Sequence, residues 1–461
     1  NRLTVSGGIR LDFQNESTEP FTAGPHRWAP NRNFSFPAVE NVPNWKDVNP
    51  RISGTYDLFG NGKTALKASA SRGVEQDSIR YASANNPANT IIVQTQRAWT
   101  DNGDFVPNCD LTVGAANGEC GPWVVPTFGT SLPGTRYDQA IMNGWGVRPW
   151  NWEFSTGIQQ EILPRLSASF GYFRRVSGNF YVQDNEALAP GDFTEYSVIA
   201  VPTALPNGLQ LPNAGQTVTG LYDQNFLPAP RNVIKDASQF GDQFQHFDGI
   251  DFSLDARLRN GLTLQGGVST GKFMSDNCQI VDDVPEALTT SAAAGIPQSV
   301  ASNAVQGNAN VIIPRSYCHQ ETPYLPQYKA AASYNLPWYG IRASGTFQSV
   351  PGPQIFGNTI YNNANRTTLT TLPRPFVVAG QANINVIEPG TEYGDRLNQI
   401  DLRFTKIFSM GRTRLDLNVD FYNAFNSDAV TAEIGSWGPV WRLPLTVIQP
   451  RFVKFGARFD F

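Results

Sequence analysis

The chain has 461 residues, 16% charged and 12% aromatic, with 41 Gly and 33 Pro. Many turn formers and few charges suit strands joined by turns rather than long amphipathic helices. Lys and Arg number 35 against 39 Asp and Glu, and a net charge of −4 excludes the basic surface that a nucleic-acid partner requires. No run of about 18 apolar residues occurs, which excludes a membrane helix, whereas a transmembrane strand needs only about 9–11 residues with every second one apolar. A mean hydropathy of −0.31 is therefore compatible with a membrane protein.

The N-terminal residues Asn1-Arg2-Leu3-Thr4-Val5 enter alternation directly, with no Met, basic n-region or apolar h-region. The chain is read as mature or, preferably, as lacking its beginning. A period of two then picks out about twelve segments. In the first, Leu3, Val5, Ile9, Leu11 and Phe13 oppose Thr4, Ser6, Arg10 and Asp12. Four more run near 49–58, 63–75, 151–162 and 165–177. From Ile250, the residues Phe252, Leu254, Ala256 and Leu258 oppose Asp251, Ser253, Asp255 and Arg257. Segments near 262–273, 327–336 and 339–349 follow, with Gly266, Gly267, Ala330 and Ala331 in place of larger residues. Ile400, Leu402 and Phe404 alternate with Asp401, Arg403 and Thr405. Next, Leu415, Leu417, Val419 and Phe421 alternate with Asp416, Asn418, Asp420 and Tyr422. Last, Val453, Phe455, Ala457, Phe459 and Phe461 oppose Lys454, Gly456, Arg458 and Asp460.

The connections alternate between short and long. Phe59-Gly60-Asn61-Gly62, Leu163-Pro164, Asn260-Gly261, Pro337-Trp338 and Met410-Gly411 carry the Gly, Asn or Pro of tight hairpins. Long connections lie near 16–48, 76–150, 178–245, 274–326, 350–397 and 424–449, more than a compact soluble domain tolerates. The expected fold is all-β, an antiparallel up-and-down transmembrane β-barrel with short periplasmic turns and long extracellular loops. Lipid accepts only apolar side chains, so Leu415, Leu417, Val419, Phe421, Val453, Phe455 and Phe459 are expected to face it. Asp401, Arg403, Asp416, Asn418, Asp420 and Arg458 are expected to face the lumen, where the carboxylates and arginines neutralise one another or contact a plug.

Several stretches carry a resemblance: Asp57–Ser69 (DLFGNGKTALKAS), 260–272 (NGLTLQGGVSTGK), Asp276-Asn277-Cys278, Gly394–Lys406 (GDRLNQIDLRFTK) and Arg451–Phe461 (RFVKFGARFDF). In this order they resemble the barrel of Oar-like TonB-dependent outer-membrane receptors, and the resemblance spans nearly the whole chain. It implies a signal peptide, a plug and earlier strands ahead of this region, which would then be the second half of a barrel of about 22 strands. It also implies an outer-membrane location, a TonB complex acting through the missing part, and uptake of a siderophore, oligosaccharide or peptide. The rival functions are a passive pore and a surface structural or adhesion barrel. Phe461, ending an alternating strand, looks like the signal read by the outer-membrane assembly machinery, the plainer reading being an ordinary last strand.

Four cysteines allow three connectivities, and since each pair sits within one long connection, Cys109–Cys120 and Cys278–Cys318 are the economical assignment. A metal site lacks CxxC spacing and has only His26, His246 and His319 to help. Asp101-Asn102-Gly103-Asp104 and Asp282-Asp283 lack the spacing of a calcium loop. Gly60–Thr64 contains Gly-Lys-Thr, but a phosphate loop needs Gly where Asp57 stands and a helix afterwards, so a hairpin turn is expected. No nucleophile motif is placed convincingly, and neither an enzyme nor a cofactor is expected. Trp152, Tyr172, Trp338, Tyr339 and Tyr422, near strand ends, are read as interface anchors, with stacking on a sugar-like ligand as the alternative. Trp28, Trp123, Trp145, Trp437 and Trp441 fall in the long connections, where they can pack the loops together.

Overall fold

The computed structural model describes residues 2–461 except 77–78, 133, 259–260, 289–310 and 338. Asn260 and Trp338, named above in a turn and as an anchor, lie outside the described residues. Twelve long strands form one antiparallel meander: β1 (Leu3–Asn15), β2 (Asn44–Asp57), β3 (Thr64–Val74), β4 (Trp150–Leu163), β5 (Leu166–Gly178), β6 (Phe244–Arg257), β7 (Leu262–Asp276), β8 (Gln327–Asn335), β9 (Ile341–Val350), β10 (Leu397–Met410), β11 (Thr413–Tyr422) and β12 (Phe452–Asp460). Each pairs with the next in sequence. Among the described residues β1 has only β2 as a long neighbour and β12 only β11.

The twelve segments read from alternation are these twelve strands, and the register keeps their phases aligned. Leu3 stands opposite Tyr56, Ile52 opposite Ala70, Phe170 opposite Phe252, and Val419 between Phe404 and Phe455. Because the side-chain period is two, a register preserved from strand to strand builds one continuous apolar face and one continuous polar face. The apolar face is uncovered: Ile9 is 73% and Phe455 76% exposed. The hollows of the sheet lie on the polar side, lined by residues such as Ser53, Ser69, Gln265, Thr346, Asp401 and Arg403. Several strands begin earlier than alternation indicates: β6 starts at Phe244 and β10 at Leu397.

Turn chemistry explains the short ends. The Asp57 carboxylate accepts from Gly60 N at 2.9 Å and Gly62 N at 2.8 Å, and both glycines have φ near +70°. A side chain is strained there, so the Gly-Asn-Gly-Lys-Thr run is a hairpin that passes straight into β3, not a phosphate loop. At the β4–β5 turn Arg165 takes the left-handed conformation after Pro164, with φ 72°.

Where β1, β2 and β3 meet the loops, a buried ion pair locks them. Arg148 Nε donates to Asp47 Oδ2 at 2.6 Å, and its Nη1 donates to Gln14 Oε1 and to the Glu75 carbonyl, both at 3.1 Å. The Asp47 side chain is 1% exposed and the Arg148 side chain 4%. Arg72 Nη1 also lies 3.5 Å from Asp47 Oδ1, so removing Arg148 leaves the buried carboxylate with this one longer contact, at a cost of up to about 3–5 kcal/mol, whereas removing both members of the pair costs less. Arg148→Met is therefore expected to lose about that much unfolding free energy in urea titration, and Asp47→Asn/Arg148→Met to recover more than half of it. Equal losses in the single and double variants would contradict the coupling.

Candidate functional site

The sheet gathers the six polar residues expected in the lumen onto one face. Arg403 Nε and Nη2 donate to the two oxygens of Asp420 at 2.5 and 2.8 Å, and Arg414 binds Asp416 in the same two-pronged way at 2.7 and 2.8 Å. Thr405 Oγ1 donates to Asn418 Oδ1 at 2.7 Å, and Arg458 Nε to Asp460 at 2.9 Å. Asp401 instead accepts from Asn423 N at 2.7 Å and from Gln399 Nε2 at 2.9 Å. Bidentate pairs of this kind neutralise charge and fix side chains in place. The seven residues expected to be apolar-facing stand on the opposite side, where Leu415 faces Phe459 and Phe421 faces Val453. Phe461 follows β12 with its ring 6.0 Å from that of Phe459, fully exposed.

At the loop end the long connections fold on one another. The third (179–243), fifth (351–396) and sixth (423–451) share a hydrophobic core containing Tyr196, Val198, Leu221, Tyr361, Ile384 and Trp441. Directional bonds tie them: Tyr361 Oη donates to the Ile199 carbonyl at 2.9 Å and Trp441 Nε1 to the Phe356 carbonyl at 2.8 Å. A second core joins Trp45 of β2 to Tyr81, Ile141 and Met142 of the second connection (75–149) and Tyr181 and Ile234 of the third. A third joins Val182 and Ala237 to Ile280, Val284 and Ala287 of the fourth (277–326). Both disulfides form as expected, Cys109–Cys120 and Cys278–Cys318. Four of the five loop tryptophans pack against another ring: Trp437 lies 4.8 Å from Trp441, Trp123 5.2 Å from Phe128, and Trp145 5.8 Å from Phe13.

Beneath the second and third connections a cavity of about 610 Å³ opens on the polar face of β4–β7. Its floor includes Asn151, Arg175, Ser177, Gln245, Phe247 and Phe273, and its roof Tyr81, Tyr137, Tyr181 and Ile234. None of these was singled out from sequence. The missed signal was phase: Phe173, Phe247 and Phe273 fall on the polar face, out of step with alternation, and each stands two residues from a glycine.

In the second connection Asp101, Asp104 and Glu119 bring carboxylate oxygens within 4.8 Å of one another. Loop donors already occupy them: Glu119 accepts from Asn102 N at 3.2 Å and Asn108 N at 3.1 Å, and Asp101 from Phe105 N at 3.0 Å. The Val106 N–H and the Asn108 amide hold the Asp104 carboxyl below its ordinary range. The trio pins the disulfide-closed loop, and no cation is assigned to it. Asp282 is likewise engaged, by both prongs of Arg315.

No protein-family profile matches the chain, and no curated protein sequence does. Solved structures do match. The outer membrane transporter YddB of Escherichia coli is 10% identical over 91% of this chain and 41% of its own, with a TM-score of 0.43. The FrpB iron transporter of Neisseria meningitidis is 11% identical over 99% of this chain and 43% of its own, with a TM-score of 0.43. The siderophore receptor PiuA of Acinetobacter baumannii is 10% identical over 99% and 40%, with a TM-score of 0.42. The chain thus spans about two fifths of the length of these structures.

Cys278 and Cys318 are 40 residues apart, and closing a loop of that size stabilises by roughly 2–4 kcal/mol. Cys278→Ala/Cys318→Ala is expected to hasten proteolytic nicking of the fourth connection while leaving the sheet resistant; unchanged cleavage would contradict this. Glu286, in the same connection, accepts from Asn185 N at 2.8 Å, and burial pushes its carboxyl above the ordinary range. A folded-state value raised above the unfolded one means stability that is complete below the ordinary glutamate pKa and lost as pH rises through the folded value. Hydrogen exchange of Tyr181–Asn185, corrected for intrinsic rates, is therefore expected to be slower at pH 5 than at pH 8, and Glu286→Gln to flatten that difference.

Proposed function

We propose that the chain is the second half of an outer-membrane β-barrel transporter, resembling Oar-like TonB-dependent receptors, that takes up a solute too large or too scarce for passive diffusion. The single observation that carries this reading is the continuous, uncovered apolar face running in register across twelve strands. Apolar area on that scale has no stable aqueous state, while a hydrocarbon layer accepts it and leaves the polar face to water or protein. Alternation of short turns with long connections supports the same assignment, the turns being periplasmic and the loops extracellular.

In this reading Leu415, Leu417, Val419, Phe421, Val453, Phe455 and Phe459 contact outer-membrane lipid. Asp401, Arg403, Asp416, Asn418, Asp420 and Arg458 line the lumen, where a plug from the preceding part of the protein sits and is displaced by force through TonB. Phe461 serves the assembly machinery. The bidentate pairs suit a plug-facing wall, because they present polarity without unpaired charge. Trp152, near the loop end of β4, stands at the outer interface, whereas Tyr172 falls at the middle of β5. Tyr172 Oη donates to Asp248 at 2.5 Å, and Arg174 donates to the same carboxylate at 3.0 Å. No step of this function is enzymatic.

The test places a charge on each face. Val419→Arg, between Phe404 and Phe455, is expected to cost about 2–4 kcal/mol at the bilayer midplane and to remove the protein from outer-membrane fractions. Thr346→Lys, on the polar face of β9, is expected to leave that fraction intact. Equal tolerance of both, or recovery of the unaltered protein in the soluble fraction, would refute the membrane assignment. Uptake that persists without TonB would refute the energised mechanism alone and favour a passive pore.

A further inference from the structure

We infer that the cavity on the polar face of β4–β7 is a binding site for a neutral saccharide chain. The inference rests on the transporter reading above and names the solute class.

Register lays the floor out in rows. One row runs Asn151–Ser177–Gln245–Ser275 across β4, β5, β6 and β7, and the next runs Glu153–Arg175–Phe247–Phe273. Neighbouring strands are about 4.8 Å apart and the two rows roughly 7 Å apart, two residues along each strand. A row of amides and hydroxyls thus stands beside a row bearing two phenyl rings.

Phe247 is 40% exposed on a face made mostly of polar residues and glycine. Its ring tip reaches over Gly249 and Gly271, where any Cβ would collide with it. Phe173, in the row below, lies against Gly171 in the same manner and is 43% exposed. Glycines under aromatic rings keep the rings low on the sheet and leave their remaining surface open to the cavity. An aromatic surface held this way offers a stacking platform without a deep apolar pocket.

The polar row is available to a ligand. Among the described residues neither Asn151 nor Gln245 has a side-chain hydrogen bond, and each amide offers two donors and an acceptor. Ser275, at the end of the row, is wholly buried and closes it off, so the open part of the row is Asn151, Ser177 and Gln245.

The charges are spent within the protein. Arg175 pairs with Glu153, Arg80 with Glu75 at 2.5 Å, and His246 sits 3.4 Å from Asp248. An anionic chelate or a charged peptide terminus needs an unpaired counter-charge, and the floor presents none. The ligand that matches is uncharged, has weakly polar C–H faces to lie on the rings, and carries many hydroxyls at its edge to meet the amides. A chain of neutral pyranoses has that chemistry, and the open cavity lets it extend beyond one unit.

The experiment uses the full-length protein purified in detergent, with maltohexaose and cellohexaose as neutral probes, hexagalacturonate as the anionic probe and hexa-alanine as the peptide. Binding is followed by calorimetry and by the emission of Trp150, which lines the cavity. At least one neutral hexasaccharide is expected to bind. Phe247→Ala is expected to weaken it tenfold or more, Asn151→Ala/Gln245→Ala several-fold, and Phe247→Tyr to retain it. Heat-modifiable gel mobility establishes that each variant is folded. Failure of both neutral probes, binding of only the anion or only the peptide, or binding indifferent to Phe247→Ala overturns the proposal. Binding does not depend on transport, so the fractionation and TonB outcomes fail or succeed separately from it.

Discussion

The structure depends on one constraint: every long strand sends most of its apolar side chains to the same side of the sheet, and that side is left uncovered. A two-residue period allows this only if register is kept across every pair, since a slip of one residue would turn a strand inside out. The register from β1 to β12 contains no such slip, the one irregularity in the β4–β5 ladder falling beside its turn. A sheet so ordered can place charged residues on its other face freely, provided they satisfy one another. Arg403 with Asp420 and Arg414 with Asp416 do so at the last strands.

The second organising feature is the weight of the connections. They are folded structures with their own strands, cores and disulfides, joined across large sequence distances. Tyr361 reaches back 162 residues to the Ile199 carbonyl, and Arg148 reaches 101 residues to Asp47. The Arg148 pair sits where strand ends, loop cores and cavity converge, since Asn179 beside the cavity donates to the Arg148 carbonyl at 3.1 Å. The cavity roof is thereby fixed to the sheet at a buried point.

This division explains what could be read from the chain itself. Alternation is a local property, so Leu415 to Phe421 and Val453 to Phe459 declare their faces within one segment, and the twelve strands were legible, as were the short turns that lie among the described residues. The disulfides were legible because each pair lies within one connection. Loop cores were not: Val198, Tyr361 and Trp441 occur in short runs without a period, and their partners are remote in sequence. The cavity was missed for a different reason. Phe173, Phe247 and Phe273 belong to strands whose alternation was read for its agreement, whereas the informative residues are those that disagree with it and lie beside glycine.

The two halves of the polar face carry their polarity differently, and this difference bears on what each half does. On β10–β12 the carboxylates and guanidiniums are consumed in bidentate pairs, and Thr405 is bonded to Asn418. Such a surface is already satisfied and has little to offer a ligand beyond shape. On β4–β7 the ion pair Arg175–Glu153 is flanked by amides without partners and by exposed rings held on glycine. Amides and rings left open to the cavity lower the free energy of a complex when a matching molecule replaces the water on them. In the proposed reading, recognition belongs to the β4–β7 half beneath the loops, while β10–β12 offer a wall whose charges are already paired.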